Sequence, residues 1–285
     1  MKLIRFGEAG AERPGLILAD GRKIDASAFG EDWNEAFFGS DGLARLTAWA
    51  KDHASDAPEV AVGTRLGPAI ARPSKLICIG LNFKDHAEET GQKAPVEPII
   101  FSKATSAWSG PNDDVTIPRG SEKTDWEVEL AVVIGKRTSY VTEADAPAYI
   151  AGYALHNDYS ERAFQTERGG QWVKGKSCDT FAPFGPFLAT ADEIADVNNL
   201  RMWLKVNGVT KQDGTTANLI FNVPFIVSYL SQFMSLLPGD VISTGTPAGV
   251  GLGFKPPQFL QPGDVVELGI EGLGEQRQTL RAWQP

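Results

Sequence analysis

Short apolar runs separated by polar, glycine-bearing turns dominate the chain, the pattern of many short strands with few helices. Continuous apolar runs predict buried strands at 76–79, 98–101, 130–134 and 149–155, with a closing strand at 265–270. Residues 200–206 alternate, and Asn207-Gly208 follows them as a hairpin turn. Near the start, 2–6 and 14–18 suggest a hairpin, with a turn at Asp20-Gly21. Helical spacing is clearest at Leu43, Leu46 and Trp49. One or two helical turns are expected over 84–90, and a helix beginning at Thr142 as N-cap. A long apolar helix is expected over 219–237, with Pro224 near its start. The fold class is therefore α+β, mostly β. Residues 1–70 read as a small N-terminal α/β domain and 71–285 as the domain that carries the chemistry.

Composition narrows the class. Hydrophobic residues make up 42% and charged residues 22% of the 285, an ordinary globular balance. Net charge is −9, which argues against a nucleic-acid partner. No apolar stretch is long enough to cross a membrane, and the first residues lack a signal-peptide core, so a cytoplasmic location is expected. Cys78 and Cys178 form no metal spacing and are expected as reduced thiols.

The chemistry centres on Asp125-Trp126-Glu127-Val128-Glu129-Leu130. Alternation puts Asp125, Glu127 and Glu129 on one face as the strand enters the core. Carboxylates buried together repel, and a divalent cation relieves both the repulsion and the burial cost. Hard oxygen ligands suit Mg²⁺ or Mn²⁺. A solvated acidic edge is the plain alternative on this stretch alone. A second apolar run ends in His156-Asn157-Asp158, and Asp158 is the natural third carboxylate; capping a helix at 160–165 is its competing role. His86 and Glu89 share a helical face at i and i+3. Lys176 would pair favourably with three carboxylates and could bind an anion. The glycine-rich 245–253 segment has neither a P-loop ending nor a strand–turn–helix context, so it is read as a tight loop holding Thr246 beside a ligand.

Taken in order, these segments resemble the fumarylacetoacetate hydrolase family across roughly residues 70–285. The matching pieces are Gly80-Leu-Asn-Phe83 with His86 and Glu89, the 125–130 stretch, Asn157-Asp158, Lys174-Gly-Lys176-Ser-Cys-Asp-Thr-Phe181 and Pro238-Gly-Asp240 through Thr246-Pro247. The resemblance implies a mixed β-sandwich roll behind a small N-terminal domain, and Mg²⁺ or Mn²⁺ on Glu127, Glu129 and Asp158. Asn82 stands near the place of the animal enzyme's fourth acidic ligand, a departure shared by the acylpyruvase-like branch. Asn112-Asp-Asp-Val115, Tyr159-Ser-Glu-Arg162 and Ile270 to Gln278 look most like the bacterial 2,4-diketo-3-deoxy-L-rhamnonate or L-fuconate hydrolases.

That likeness implies cleavage of a C–C bond in a 2,4-diketo acid, giving pyruvate and a second small acid. His86, aligned by Glu89, is the expected general base and Lys176 the group steadying negative charge. Asn82, Phe83, Lys103, Tyr159, Arg162 and Thr246 are the expected substrate-binding residues. A loop at 91–98 is expected to order over the substrate. Alternatives are a lyase or decarboxylase of the ureidoglycolate or oxaloacetate type, a fumarylpyruvate or acylpyruvate hydrolase, and a non-catalytic sugar-acid binding module. A homodimer or dimer-based tetramer is expected, with weak support from the aromatic residues between Phe181 and Trp203.

Overall fold

The computed structural model describes every residue except Thr90 and Gln92. The 84–90 helical turn and the 91–98 loop each include one of these, so those parts of the expectation lie outside the described residues. Among the described residues a nine-stranded sheet runs in the order Lys23–Asp25, Arg13–Ile17, Lys2–Phe6, Leu188–Thr190, Ile150–Asn157, Val128–Ile134, Val241–Ser243, Leu76–Gly80, Ile99–Lys103. Its inner strands are buried along their whole length, which is why they read as unbroken apolar runs rather than as alternation. A five-stranded sheet, Val209–Thr215, Arg201–Val206, Val265–Ile270, Gly274–Ala282 and Val115–Ile117, packs against Val128–Ile134 and Ile150–Asn157. This is the mostly-β sandwich roll that the sequence predicts. Its Asn207-Gly208 turn has φ of 51° and 77°, as a tight hairpin requires.

Three buried glutamines tie the sheets together. Gln212 Oε1 accepts from Val128 N at 3.0 Å, Gln276 Nε2 donates to the Leu155 carbonyl at 2.9 Å, and Gln278 Oε1 accepts from Tyr159 OH at 3.0 Å. Each satisfies a polar group that the sandwich would otherwise bury unpaired. The first 70 residues add their three strands to the large sheet, through pairing of Lys2–Phe6 with Leu188–Thr190, rather than building a sheet of their own.

Several local expectations need correction. The helix expected over 219–237 spans only Val223–Ser231. Asn82 holds both the N–H and the carbonyl of Phe221, which keeps the chain extended there, and Asn222 then caps the helix through Phe225 N. Beyond Ser231 the backbone pairs Leu236 with Thr138. Thr142 caps a turn, and the helical residues that follow are the 3-10 turn Ala146–Tyr149, which has Pro147 near its start. Asp158 caps no helix; Glu161 does so, accepting from Ala163 N at 2.9 Å. Phe181 and Phe184 are fully buried in the chain's own core, while Trp203 is half-buried. No described helix is long and apolar enough to cross a membrane.

Candidate metal centre and active site

Strand pairing brings the acidic residues together. Val128–Ile134 runs antiparallel to Ile150–Asn157 with Glu129 opposite His156 and Val128 opposite Asn157. One step further, Asp158 N donates to the Glu127 carbonyl at 2.9 Å. Glu127, Glu129 and Asp158 therefore meet at the end of two central strands, and one oxygen from each lies within 4.8 Å of the others. All three are buried, as is Asp125, so a solvated acidic edge does not describe them.

Cations surround the cluster. Lys176 Nζ lies 2.6 Å from Glu127 Oε2 and 2.7 Å from Asp158 Oδ2. Lys103 Nζ lies 2.5 Å from Asp158 Oδ1, and Arg162 Nη2 lies 2.8 Å from Glu127 Oε1. Burial alone would raise the Asp158 carboxyl, but Lys103 and Lys176 hold it well below the usual carboxylate range. Burial disfavours the Lys176 ammonium, yet Asp158 and Glu127 more than offset this and keep it charged. Glu129 differs. Burial, then Asp158 and then Glu127, push its carboxyl well above the ordinary range. Its Oε2 accepts from Ser243 Oγ at 2.5 Å and Gly245 N at 2.9 Å. A proton or a cation at Glu129 would relieve this crowding. The three convergent oxygens and the excess of negative charge at Glu129 fit a small divalent cation.

A cavity of about 90 Å³ opens over the cluster. Glu127, Glu129, Arg162, Lys176, Gln165, Thr246 and His86 line it, with Phe101, Trp172, Val250 and Leu252 as apolar walls. His86 stands on the Lys84–Glu89 helix, and its Nδ1 is 3.5 Å from Glu89 Oε2. Of the residues expected to bind substrate, Arg162 and Thr246 face this cavity. The others stand behind it. The Asn82 amide donates to the Phe221 and Thr244 carbonyls and accepts from Phe221 N, so it braces the backbone. Phe83 is buried in the core, and Tyr159 OH is bonded to Gln278. Lys103 donates to Asp158 and to the Tyr159 carbonyl.

Some participants were not assigned from sequence. Asp125 carried an acidic-face signal but no role. It accepts from Gly251 N at 2.6 Å, Leu252 N at 3.0 Å and Arg162 Nε at 2.8 Å. His156 Nδ1 lies 2.7 Å from Ser243 Oγ, and Ser243 donates to Glu129. Burial pushes the His156 imidazole down to about 3, so the ring is neutral; because Ser243 gives its proton to Glu129, the ring proton sits on Nδ1. Gln165, bonded to Arg162 at 3.0 Å, and Trp172 gave no signal, since contact with the cavity depends on how helix Arg162–Thr166 docks.

Residues 75–281 match the fumarylacetoacetate (FAA) hydrolase C-terminal family. A Burkholderia multivorans protein with a provisional hydrolase name is 52% identical over 283 residues, covering 99% of each chain. A Mycobacterium abscessus structure with a provisional name as a 2-hydroxyhepta-2,4-diene-1,7-dioate isomerase superimposes with TM-score 0.83 at 30% identity, over 100% of both chains. Maleylpyruvate hydrolase from Sphingobium sp. SYK-6, in complex with manganese(II) and pyruvate, superimposes with TM-score 0.82 at 28% identity, again over 100% of both. The chain belongs to the fumarylacetoacetate hydrolase family.

Proposed function

We propose that the protein is a divalent-cation-dependent hydrolase that cleaves the C3–C4 bond of a 2,4-diketo acid, releasing pyruvate. 2,4-Diketo-3-deoxy-L-rhamnonate, giving pyruvate and L-lactate, is the substrate we favour. The observation that carries the reading is one cavity lined by Glu127, Glu129, Lys176 and His86 together. The manganese and pyruvate of the Sphingobium enzyme support both the cation and the product.

Glu127, Glu129 and Asp158 would hold Mg²⁺ or Mn²⁺. When bound, the cation supplies positive charge for the enolate that C–C cleavage leaves. The chain's own groups do the rest. His86 takes a proton from the water that attacks C4, and Glu89 keeps the ring aligned. Lys176 and Arg162 balance the substrate's negative charge from the cavity wall. Thr246 and the backbone of its loop would bind the carboxylate end, and Gln165 offers a further polar group on the cavity wall. Phe101, Trp172, Val250 and Leu252 exclude water, which strengthens each of these charge interactions.

A panel of 2,4-diketo acids assayed with Mg²⁺ for pyruvate tests the proposal. We expect stoichiometric pyruvate and a second acid. The Mycobacterium neighbour favours a second reading, isomerisation of an unsaturated 2-oxo acid. Under that reading, an absorbance change with such an acid would appear without pyruvate, and no diketo acid would be cleaved.

A further inference from the structure

The glycine-rich segment does more than border the cavity. Two carboxylates from different parts of the chain close on residues 249–253. Glu89, at the end of the helix that carries His86, accepts from Gly249 N at 3.0 and 3.1 Å with its two oxygens. Asp125 accepts from Gly251 N at 2.6 Å and Leu252 N at 3.0 Å. Asp125 belongs to the stretch that carries Glu127 and Glu129, and Arg162 bridges Asp125 to Glu127 with contacts of 2.8 Å on each. Trp126 Nε1 also donates to the Gly249 carbonyl at 3.0 Å. The base-bearing helix and the acidic stretch thus hang on the same five residues.

These approaches explain the glycines. A Cβ on Gly251 would stand 2.7 Å from Asp125 Oδ1 and 2.0 Å from the Gln258 carbonyl oxygen. Gly249 has φ of +103°, and a Cβ there would stand 2.0 Å from the Lys211 carbonyl oxygen. A Cβ on Gly253 would stand 2.4 Å from Glu89 Cδ. The first two collisions involve backbone. The third meets the end of the Glu89 side chain, which a methyl group would push aside from Gly249 N.

We propose that residues 249–253 are a strut that fixes His86 in register with the Glu127–Glu129–Asp158 cluster, with Glu89 and Asp125 as its anchors. The inference rests on the reading of His86 as the general base. It makes Asp125 and Gly253 positioning residues, and it gives Glu89 a docking role besides orienting the ring.

Gly253→Ala is the probe. It should keep the parental melting temperature, and its Mn²⁺ affinity and KM should stay within about twofold, while kcat falls by ~10-fold or more, part of the 10²–10⁴-fold that a lost base costs. Adding Gly253→Ala to Glu89→Ala should cost little further rate, because the carboxylate that the methyl displaces is already gone. The chain has only 3 histidines, so ring ¹⁵N spectra resolve them individually. In Gly253→Ala the His86 signals should move and those of His156 should not. Should the melting temperature fall, Asp125→Asn weakens the segment's other anchor, which lies outside the His86–Glu89 pair, and the same ring signals are read. Parental kcat, or a lower kcat with unmoved His86 signals, overturns the strut. If the parent cleaves no diketo acid, the spectra decide alone: moved His86 signals keep the strut while the proposed reaction falls, and unmoved signals remove it.

Discussion

The Lys176 ammonium lies 2.7 Å from Asp158 Oδ2, and the same nitrogen is 2.6 Å from Glu127 Oε2. Among the described residues it is the one cation that bridges two of the three clustered carboxylates directly. Removing it leaves buried negative charge facing buried negative charge. We predict that Lys176→Met loses about 3 kcal/mol of stability in chelator, the low end for breaking a buried pair, because Lys103 and Arg162 remain. Millimolar Mg²⁺ should restore more stability to this variant than it adds to the parent. Urea unfolding with and without Mg²⁺ measures both. Equal midpoints for variant and parent in chelator would contradict the electrostatic account.

Ser243 offers a milder perturbation. Its hydroxyl donates to Glu129 Oε2 at 2.5 Å and takes His156 Nδ1–H at 2.7 Å. Partners of this kind orient a ligand without touching the metal, and their loss costs ~10–100-fold in affinity. Ser243→Ala should therefore weaken Mn²⁺ binding by that factor with little change in fold. Calorimetric titration of the chelated protein reads it, and unchanged affinity would remove Ser243 from the site.

His156 makes a pH prediction. Burial lowers it from 6.5 to about 3, so between these values the unfolded chain binds a proton that the folded chain does not. Stability from this group is complete above pH 6.5 and is lost as pH falls toward 3. By pH 5 the loss is about 2 kcal/mol. His156→Gln keeps a donor for Ser243 but does not titrate. The stability gap between parent and variant should therefore shift by about 2 kcal/mol in the variant's favour from pH 7.5 to pH 5. A gap that does not change with pH would mean that the ring titrates normally.

The sequence reveals those parts of the fold that depend on local pattern. The buried strands announce themselves as apolar runs, and Asn207-Gly208 fixes a hairpin because few other pairs adopt positive φ twice. Glu127 and Glu129 are visible as a pair because strand period alone puts them on one face. What distant contacts decide is less visible. The 219–237 run looks helical throughout, but Asn82 and Thr138 claim its two ends. Lys103, Asn82 and Tyr159 carry the right chemistry to touch a substrate, but none of them lines the cavity. Only packing separates a cavity-facing lysine such as Lys176 from one buried behind Asp158. Ser243 had no signal, since a serine in a buried strand is legible as a site residue only once His156 and Glu129 are placed beside it.

On the proposed function, one divalent cation on Glu127, Glu129 and Asp158 is required for cleavage of a diketo acid. Pyruvate release from the cleaved substrate of the panel, followed as Mn²⁺ is added to chelator-treated protein, tests this directly. The rate should start near zero, rise linearly and level off at about one Mn²⁺ per chain. Glu129→Gln should stay near zero throughout. Full activity in chelator, or a Glu129→Gln rate that follows the parent, would contradict the account.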